Sequence, residues 1–292
     1  MATSRSGLFG AHRRVRSRKP APHRHLRHHG TSQKRRSIPP TTLTSIFSTY
    51  LSVFRIFKIK TMSYLNTTHD VYKAAALQPN LGLCCTTTPV WQFPNLSIPS
   101  KMLEMNYGCG STVHPRDLVN NPKILYVGVG GGMELLQFAY FSRQKGGVTG
   151  IDVVPEMLEA ARENFTTAAT ENDWFDSSFV DLKQGDALNL PVADNSIDVA
   201  AQNCLFNIFK AEELEQALQE IYRVLKPHGR LVMSDPICEQ PMNTTLRNDE
   251  RLRALCLSGA LPLQEYLNML VKVGFGTLEV RAKRPYRILD TK

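Results

Sequence analysis

The stretch Lys123-Ile124-Leu125-Tyr126-Val127-Gly128-Val129-Gly130-Gly131-Gly132-Met133-Glu134 decides the fold. An apolar run of strand type leads directly into a glycine-rich turn, and the turn opens a helical pattern. Gly128 and Gly130 allow the chain to turn sharply with no Cβ in the way, so a ligand can lie against bare backbone. The pattern predicts a nucleotide-type cofactor across the carboxyl end of a strand. A flexible glycine turn without a ligand is the alternative.

The spacing of the glycines favours one class of cofactor. A dinucleotide fingerprint has the pattern G-x-G-x-x-G, whose last glycine lets the helix pack closely while the pyrophosphate lies at its N-terminus. Met133 stands at that place here, and the glycines fall at Gly128, Gly130 and Gly132. This G-x-G-x-G spacing resembles the first motif of class I S-adenosylmethionine methyltransferases, whose cofactor has no phosphate.

Polar residues follow further strands of the predicted sheet. Asp152 ends the second strand, 20 residues after Gly132, at about the spacing that places a carboxylate on ribose hydroxyls. Asp186 and Ala187 follow a third strand, where an adenine would lie, and Asp186 could accept from its exocyclic amine. The alternative for Asp186 is an aspartate that caps a turn. With Asn203 at the end of a fourth strand, these residues are expected to meet in one cofactor crevice.

Helical patterns alternate with the predicted strands. They occur at residues 134–141, 155–170 and 211–225, and residues 242–273 are also helical in pattern before a last strand at 277–281. This alternation predicts an α/β domain with a mostly parallel sheet and helices on both faces. The resemblance to class I methyltransferases implies a Rossmann-like sheet of seven strands.

The basic charge of the chain is confined to its first part. Of the 35 Lys and Arg residues, 14 lie in residues 1–61 together with none of the 26 Asp and Glu, so the remainder has 21 basic and 26 acidic residues. No nucleic-acid partner is therefore expected for the folded domain. Residues 1–61 are interpreted as a disordered basic leader without core residues. It is either an organelle transit peptide, chloroplast or mitochondrial, or a segment upstream of a true start at Met62.

Residues 62–292 are long enough for one large α/β domain. We divide it into an N-terminal substrate or cap segment at 62–121, a cofactor-binding core at 122–241 and a C-terminal substrate-covering segment at 242–292. The uncharged run 41–54 has 14 residues, fewer than the roughly 20 that span a bilayer, so no transmembrane segment is expected. The protein is expected to be a monomer, either cytoplasmic or organellar.

Three of the six cysteines stand where chemistry is expected. A disulfide scaffold is not expected without a secretory signal, and the lack of C-x-x-C spacings disfavours a zinc site. Cys204 ends the fourth strand at the crevice mouth, and Cys256 lies in the segment that commonly covers the substrate. Cys109 lies between two glycines, which are expected to leave its sulfur approachable. For each of them an inert buried thiol is the alternative.

The sequence around these cysteines resembles the arsenite S-adenosylmethionine methyltransferases. The matching segments are Cys84-Cys85-Thr86, Tyr107-Gly108-Cys109-Gly110-Ser111, the loop 127–132, Asn203-Cys204-Leu205-Phe206-Asn207 and Arg253-Ala254-Leu255-Cys256-Leu257-Ser258-Gly259-Ala260. The resemblance covers residues 62 to about 290 and is greatest with the branch associated with arsenosugar formation in photosynthetic microbes. Two features depart from the family. The glycine loop lacks the acid or serine of many relatives, and the chain ends before a C-terminal region that relatives usually have.

The resemblance implies that Cys109, Cys204 and Cys256 bind trivalent arsenic as a thiol adduct. Three thiolates suit this soft element, and its lone pair would attack the methyl group without a general base. The vicinal pair Cys84 and Cys85 would supply a further cysteine that forms a disulfide with Cys109 during turnover. A thiol reductant, glutathione or thioredoxin, is then a co-substrate. The implied role is arsenic detoxification or arsenosugar formation.

Two other functions stay open. A carbon or oxygen methyltransferase acting on a quinone or sterol would use the same crevice but would depend little on Cys204. It would need a base, and His114 is the candidate near the crevice, although a structural role is favoured for it. A non-enzymatic metalloid binder would bind without cofactor turnover, and the glycine loop with Asp152 argues against it.

Overall fold

The computed structural model describes residues 4–13, 63–79, 83 and 92–286. Its strands are β1 (Ser4–Arg13), β2 (Ile124–Val127), β3 (Val148–Asp152), β4 (Val180–Gln184), β5 (Ile197–Asn203), β6 (Leu225–Cys238), β7 (Leu261–Pro262) and β8 (Phe275–Tyr286). Its helices are α1 (Ser63–Leu77), α2 (Ser100–Glu104), α3 (Met133–Ser142), α4 (Pro155–Glu171), α5 (Ala211–Val224), α6 (Thr244–Arg247), α7 (Glu250–Ala254) and α8 (Leu263–Val273). Short 3-10 turns occur at Pro115–Asp117, Ser177–Phe179 and Phe206–Ile208.

The strands form one mostly parallel sheet in the order β4-β3-β2-β5-β6-β1-β8, with β7 added beside the end of β6. Strands β2 to β6 are parallel, and β1 is antiparallel to both of its neighbours. The predicted fold class is therefore confirmed. The strand number is corrected, since the described part of the chain contributes eight strands to the sheet instead of seven.

Helices cover both faces of the sheet, because successive strand residues point to opposite sides. Leu125 and Val127 of β2 belong to a core cluster with α5 and α8, whereas Ile124 and Tyr126 belong to a second cluster with α3 and α4. The predicted helices lie within two residues of those observed. None of the helices in the described residues is long and apolar enough to cross a membrane.

The strand β1 lies in the leader, where no ordered element was predicted, and that expectation is wrong for residues 4–13. The strand lies between β6 and β8 and pairs with both along its length. Such pairing uses main-chain groups, so it needs no alternation of apolar side chains and leaves little trace in sequence. Arg13 anchors its end, with a guanidinium 4.5 Å from the centre of the Tyr222 ring.

Candidate active site

The glycine turn between β2 and α3 has the backbone that the sequence requires of it. Gly128, Gly130 and Gly132 have φ values of 84°, 54° and 87°, in the left-handed region. A Cβ on Gly131 would lie 2.6 Å from the Cβ of Met105, so that position also needs glycine. The turn is the floor of a cavity of about 280 Å³ at the carboxyl edge of the sheet.

Six of the seven predicted cofactor-binding residues line this cavity. They are Gly128, Gly130, Asp152, Asp186, Ala187 and Asn203, with Gly132 adjoining between the lining residues Gly131 and Met133. The titratable side chains along the wall include three carboxylic acids, on Glu134, Asp152 and Asp186, and the imidazole of His69. No Lys or Arg is among the lining residues in the described part of the chain. The cavity therefore favours a cationic ligand.

Asp152 is held at the end of β3 by backbone donors. Its Oδ2 accepts from Val129 N at 2.8 Å and its Oδ1 accepts from Val154 N at 2.9 Å. Val153 N is a further backbone partner of the carboxylate, and a carboxylate with about four lone-pair sites still keeps one for a ligand hydroxyl. Burial raises the pKa of Asp152 to about 6, although the backbone hydrogen bonds oppose the shift.

Glu134 is a buried carboxylate at the start of α3. Thr112 donates to it twice, from N at 2.7 Å and from Oγ1 at 2.9 Å. Tyr126 Oη donates at 2.8 Å and Asn203 Nδ2 at 3.2 Å. The pKa of Tyr126 is raised well above its usual value, mainly by burial and secondly by the charge of Glu134. These four donors are neutral, and no cationic side chain of the described residues is bonded to Glu134. Its charge is thus available to a cationic ligand.

Asp186 combines the two interpretations made from sequence. Its Oδ1 accepts from Leu188 N at 2.9 Å, which is the geometry of a turn-capping aspartate. The same residue lines the cavity, as does the buried Ala187. A bond from a ligand to Asp186 therefore requires a lone pair that the turn leaves free.

Helix α1 forms the wall opposite the sheet. Leu65, His69 and Tyr72 lie at helical spacing on one face, and all three line the cavity. Tyr72 Oη lies 3.8 Å from Cys256 Sγ, which links this wall to the cysteines. His69 provides the cavity with an imidazole. The predicted candidate His114 does not line the cavity, because its Nδ1 accepts from Arg116 N and caps the turn Pro115–Asp117.

The structure brings Cys109, Cys204 and Cys256 together in one buried cluster with Ile208. Cys109 and Cys204 are joined by a disulfide, and Cys256 Sγ donates to the carbonyl oxygen of Cys204. Cys204 also lines the cavity, so the cluster adjoins the cavity of the glycine turn. In this oxidised form, no three His, Cys, Asp or Glu side chains of the described chain are arranged to hold a metal ion.

The glycines beside Cys109 serve packing rather than exposure. A Cβ on Gly108 would lie 2.4 Å from Asn203 Nδ2, and one on Gly110 would lie 2.7 Å from Ser234 Oγ. The loop can therefore press against β5 and β6 only with glycine at both places. Cys109 is 9 % exposed and disulfide-bonded, so the expectation of an approachable sulfur is wrong.

Cys204 and Cys256 both have left-handed backbones, with φ values of 63° and 60°. This conformation is unfavourable for residues with a Cβ and persists only where the surroundings hold it. Arg253 ties the two segments together, because its buried guanidinium donates to Phe209 O at 3.1 Å and to Arg247 O at 2.8 Å. The segment carrying Cys256 is thus docked on the turn that follows Cys204.

Cys238 is not part of this cluster. Cys238 donates from Sγ to Ala260 O at 3.3 Å, and burial raises the pKa of its thiol. Cys84 and Cys85 lie outside the described residues, so their predicted disulfide with Cys109 stays a prediction. Leu83, directly before them, is buried in a cluster with Met105 and Tyr107.

Sequence reasoning missed Glu134, His69 and Tyr72. Glu134 looks like an ordinary acid in the first turn of a helix, a position that the helix dipole favours without any ligand. The spacing of His69 and Tyr72 with Leu65 was the available signal for a cavity-facing helix.

Comparisons with known proteins agree with this geometry. The methyltransferase domain family matches residues 125–233. The arsenite methyltransferase of Halobacterium salinarum is 31% identical over 180 residues, which are 62% of this chain and 44% of that protein. A crystal structure of an arsenic(III) S-adenosylmethionine methyltransferase from Chlamydomonas reinhardtii matches with a TM-score of 0.55 and 28% identity, covering 63% of this chain and 62% of that one.

A second activity also occurs among the relatives. The demethylmenaquinone methyltransferase of Desulfitobacterium hafniense is 37% identical over 100 residues, 34% of this chain and 36% of that protein. The chain spans about half the length of the curated arsenite methyltransferases that it matches.

Proposed function

Because the chain belongs to the arsenite methyltransferase family of S-adenosylmethionine-dependent enzymes, we propose that it methylates trivalent arsenic held by cysteine thiolates. One observation carries the proposal. Cys109, Cys204 and Cys256, from three distant parts of the chain, lie in one buried cluster that adjoins the cavity of the glycine turn. A carbon or oxygen methyltransferase has no use for three converging thiols.

The cavity fits the cationic methyl donor. S-adenosylmethionine, when bound, supplies a methyl group on a positively charged sulfonium. Gly128, Gly130 and Gly131 line the cavity, so bare backbone faces the ligand there. We assign the ribose hydroxyls to Asp152 and the positive charge of the methionine portion to Glu134. Among the described residues, the wall that holds both carboxylates contains no Lys or Arg.

The cysteines bind and orient the arsenic in the proposed reaction. Thiolates of Cys109, Cys204 and Cys256 would hold it with its lone pair directed at the methyl group. Their burial excludes water, so the thiol ligands are not exchanged for hydroxide. The lone pair forms the new carbon–arsenic bond, and the methyl–sulfonium bond breaks with its electron pair retained on sulfur.

A thiol reductant completes the proposed cycle. Methylation consumes the arsenic lone pair, so return to the trivalent state requires two electrons. Two cysteine thiolates supply them by forming a disulfide, which an external thiol then reduces. The observed disulfide between Cys109 and Cys204 supports this step, since it places two proposed ligands within bonding distance. Glutathione or thioredoxin is the proposed reductant, and Cys84 and Cys85 are proposed to join the exchange.

The test is methylation of arsenite by the full chain with S-adenosylmethionine and glutathione, followed by speciation of the arsenic products. Cys204→Ser and Cys256→Ser are expected to abolish product from arsenite, because a hydroxyl protonated at neutral pH replaces a thiolate. Cys238→Ser is the matched control and is expected to stay active. Cys109→Ser is expected to retain activity on monomethylated arsenic, which has one fewer position for sulfur.

His69 favours a second candidate function. An imidazole in the cavity is the base that methylation of a quinone carbon or oxygen requires. Assay of a demethylated quinone under the same conditions separates the two functions. Quinone methylation that survives Cys204→Ser, together with no product from arsenite, would replace the arsenic proposal.

A further inference from the structure

The turn that carries Cys204 is held by a side chain from the strand before it. Gln202 Oε1 accepts from Leu205 N at 2.8 Å and from Phe206 N at 3.4 Å. Cys204 N itself donates to Ser234 O at 2.8 Å. The backbone amide of the left-handed Cys204 is therefore hydrogen-bonded, and the next two backbone amides donate to Gln202.

The orientation of the Gln202 amide is set by a second layer. Its Nε2 donates to Asp235 Oδ2, and the same oxygen accepts from Tyr266 Oη at 2.9 Å. An ionised carboxylate only accepts, so the amide nitrogen must face Asp235. The amide oxygen is then directed at the amides of Leu205 and Phe206. Gln202 and Asp235 are both 0 % exposed, so no water competes for these groups.

We propose that Gln202, oriented by Asp235 and Tyr266, is a positioning residue that holds the Cys204 sulfur in place for methyl transfer. The chain of contacts runs from α8 through β6 and β5 to the cysteine. The side chains of Gln202, Asp235 and Tyr266 are not among the residues that line the cavity or form the cysteine cluster. Their effect on chemistry therefore acts through the backbone of Cys204. The expected effect on kcat rests on the proposed function, whereas the expected effect on hydrogen exchange does not.

The left-handed backbone explains why such a network is needed. A non-glycine residue is strained in this conformation and keeps it only where its surroundings hold it. Without the acceptor from Gln202, the turn is expected to relax and move the sulfur. A displacement of about 1 Å at a reacting group lowers the rate by on the order of 100-fold.

The test compares two buried amides replaced by isosteric apolar residues. Gln202→Met removes the proposed acceptor, and Asn172→Leu is the matched control. Asn172 is also buried, but it follows α4 and bonds Ser97 and Ala168, which neither line the cavity nor belong to the cysteine cluster. Assays at pH 8 keep Asp235 ionised, because burial raises its pKa to about 7. We expect Gln202→Met to lower kcat for arsenite about 10- to 100-fold with KM for S-adenosylmethionine unchanged, and Asn172→Leu to leave both within twofold.

Hydrogen exchange provides a readout that does not depend on catalysis. The amides of Leu205 and Phe206 are expected to lose protection in Gln202→Met and to keep it in Asn172→Leu. Unchanged protection, or kcat within twofold of the wild type, would overturn the proposal. If the wild type makes no methylated arsenic, the proposed function fails, whereas the exchange result still decides whether Gln202 holds the turn.

Tyr266→Phe keeps the test decisive if Gln202→Met does not fold. It removes one donor to Asp235 and is expected to lower kcat about two- to fivefold, with partial loss of protection at Leu205 and Phe206. Combined with Gln202→Met it should add nothing to the loss of protection at Leu205, because the amide of Leu205 donates to Gln202. A further loss of protection at Leu205 in the double variant would show that Tyr266 acts elsewhere and would contradict the network.

Discussion

The side-chain amide of Asn203 is bonded on both of its polar atoms to the loop that carries Cys109. Asn203 Oδ1 accepts from Cys109 N at 2.9 Å, and Nδ2 donates to Gly110 O at 2.8 Å. The residue was predicted to bind the cofactor and does line the cavity. Its bonds give it a second use, because they dock one cysteine loop on the strand end that precedes the next cysteine.

Asn203→Leu is therefore expected to lower arsenite methylation by about 10- to 100-fold, since it frees the Cys109 loop without removing any thiol. Product speciation in the presence of glutathione measures the effect. Gly108→Ala should act similarly, because its Cβ would lie 2.4 Å from Asn203 Nδ2. Asn172→Leu again serves as the buried-amide control. Full activity in Asn203→Leu would mean that this docking is unnecessary.

Replacing Glu134 tests the proposed counter-charge of the cofactor. Glu134→Gln is expected to weaken S-adenosylmethionine binding by about 1.5–3 kcal/mol, because it removes a charged partner from a cavity whose described lining has no Lys or Arg. Calorimetry should show no change for 5′-methylthioadenosine, which lacks the ammonium and the sulfonium. The control is Glu163→Gln, whose carboxylate lies on the exposed side of α4, 3.3 Å from Lys101 Nζ.

An equal loss for both ligands would show that Glu134 only maintains the shape of the cavity. An unchanged dissociation constant for S-adenosylmethionine would show that Glu134 does not bind the positive charge of the cofactor.

The sequence could predict the features that depend on residues close together in the chain. The glycine turn and Asp152 follow from neighbouring residues in one βαβ unit, and the parallel sheet then places Cys204 at the same edge. The approach of Cys109 and Cys256 depends on contacts between distant segments, such as Gly108 against Asn203. No spacing rule contains such contacts. For the cysteines, the family resemblance supplied what local physics could not.

The misreading of the glycines beside Cys109 has a similar cause. Glycine permits both exposure of a neighbour and close packing of the backbone, and the sequence alone does not say which is used. The partners that decide it are Asn203 and Ser234, about 90 and 120 residues away. The strand β1 was missed for a different reason, since main-chain pairing has no side-chain pattern.

The raised pKa of Asp152 gives cofactor binding a pH dependence. The carboxylate form accepts ribose hydroxyls and favours a cation, and protonation below about pH 6 removes both properties. Affinity for S-adenosylmethionine is thus expected to fall as the pH is lowered from 7.5 to 5. Asp152→Asn should bind more weakly at pH 7.5 and show a smaller dependence. The variant serves as the reference, because it lacks the Asp152 carboxyl and keeps every other titratable group of the cavity.

A pH profile of binding that is as steep in Asp152→Asn as in the wild type would assign the dependence to another group. Asp152→Ala provides a second check, with an expected loss of about 1.5–3 kcal/mol in binding free energy at pH 7.5.

The position of β1 between β6 and β8 reverses the expectation for the leader. A protein that starts at Met62 lacks the strand that joins β8 to the sheet. Its main-chain partners on both sides are then unpaired, and such groups are costly when they are buried. Deletion of residues 1–61 is expected to lower the melting temperature by more than about 5 °C, as expected for a loss of a few kcal/mol in a domain of this size.

Two proline substitutions separate the strand from the rest of the leader. Leu8→Pro removes a main-chain donor in the middle of a strand paired on both sides, where proline is not tolerated. Gln33→Pro makes the same chemical change in the leader outside β1. Leu8→Pro should lower the melting temperature, and Gln33→Pro should leave it unchanged. If both variants, and the protein starting at Met62, unfold at the temperature of the full chain, β1 contributes nothing to stability and the leader is dispensable, as its composition first indicated.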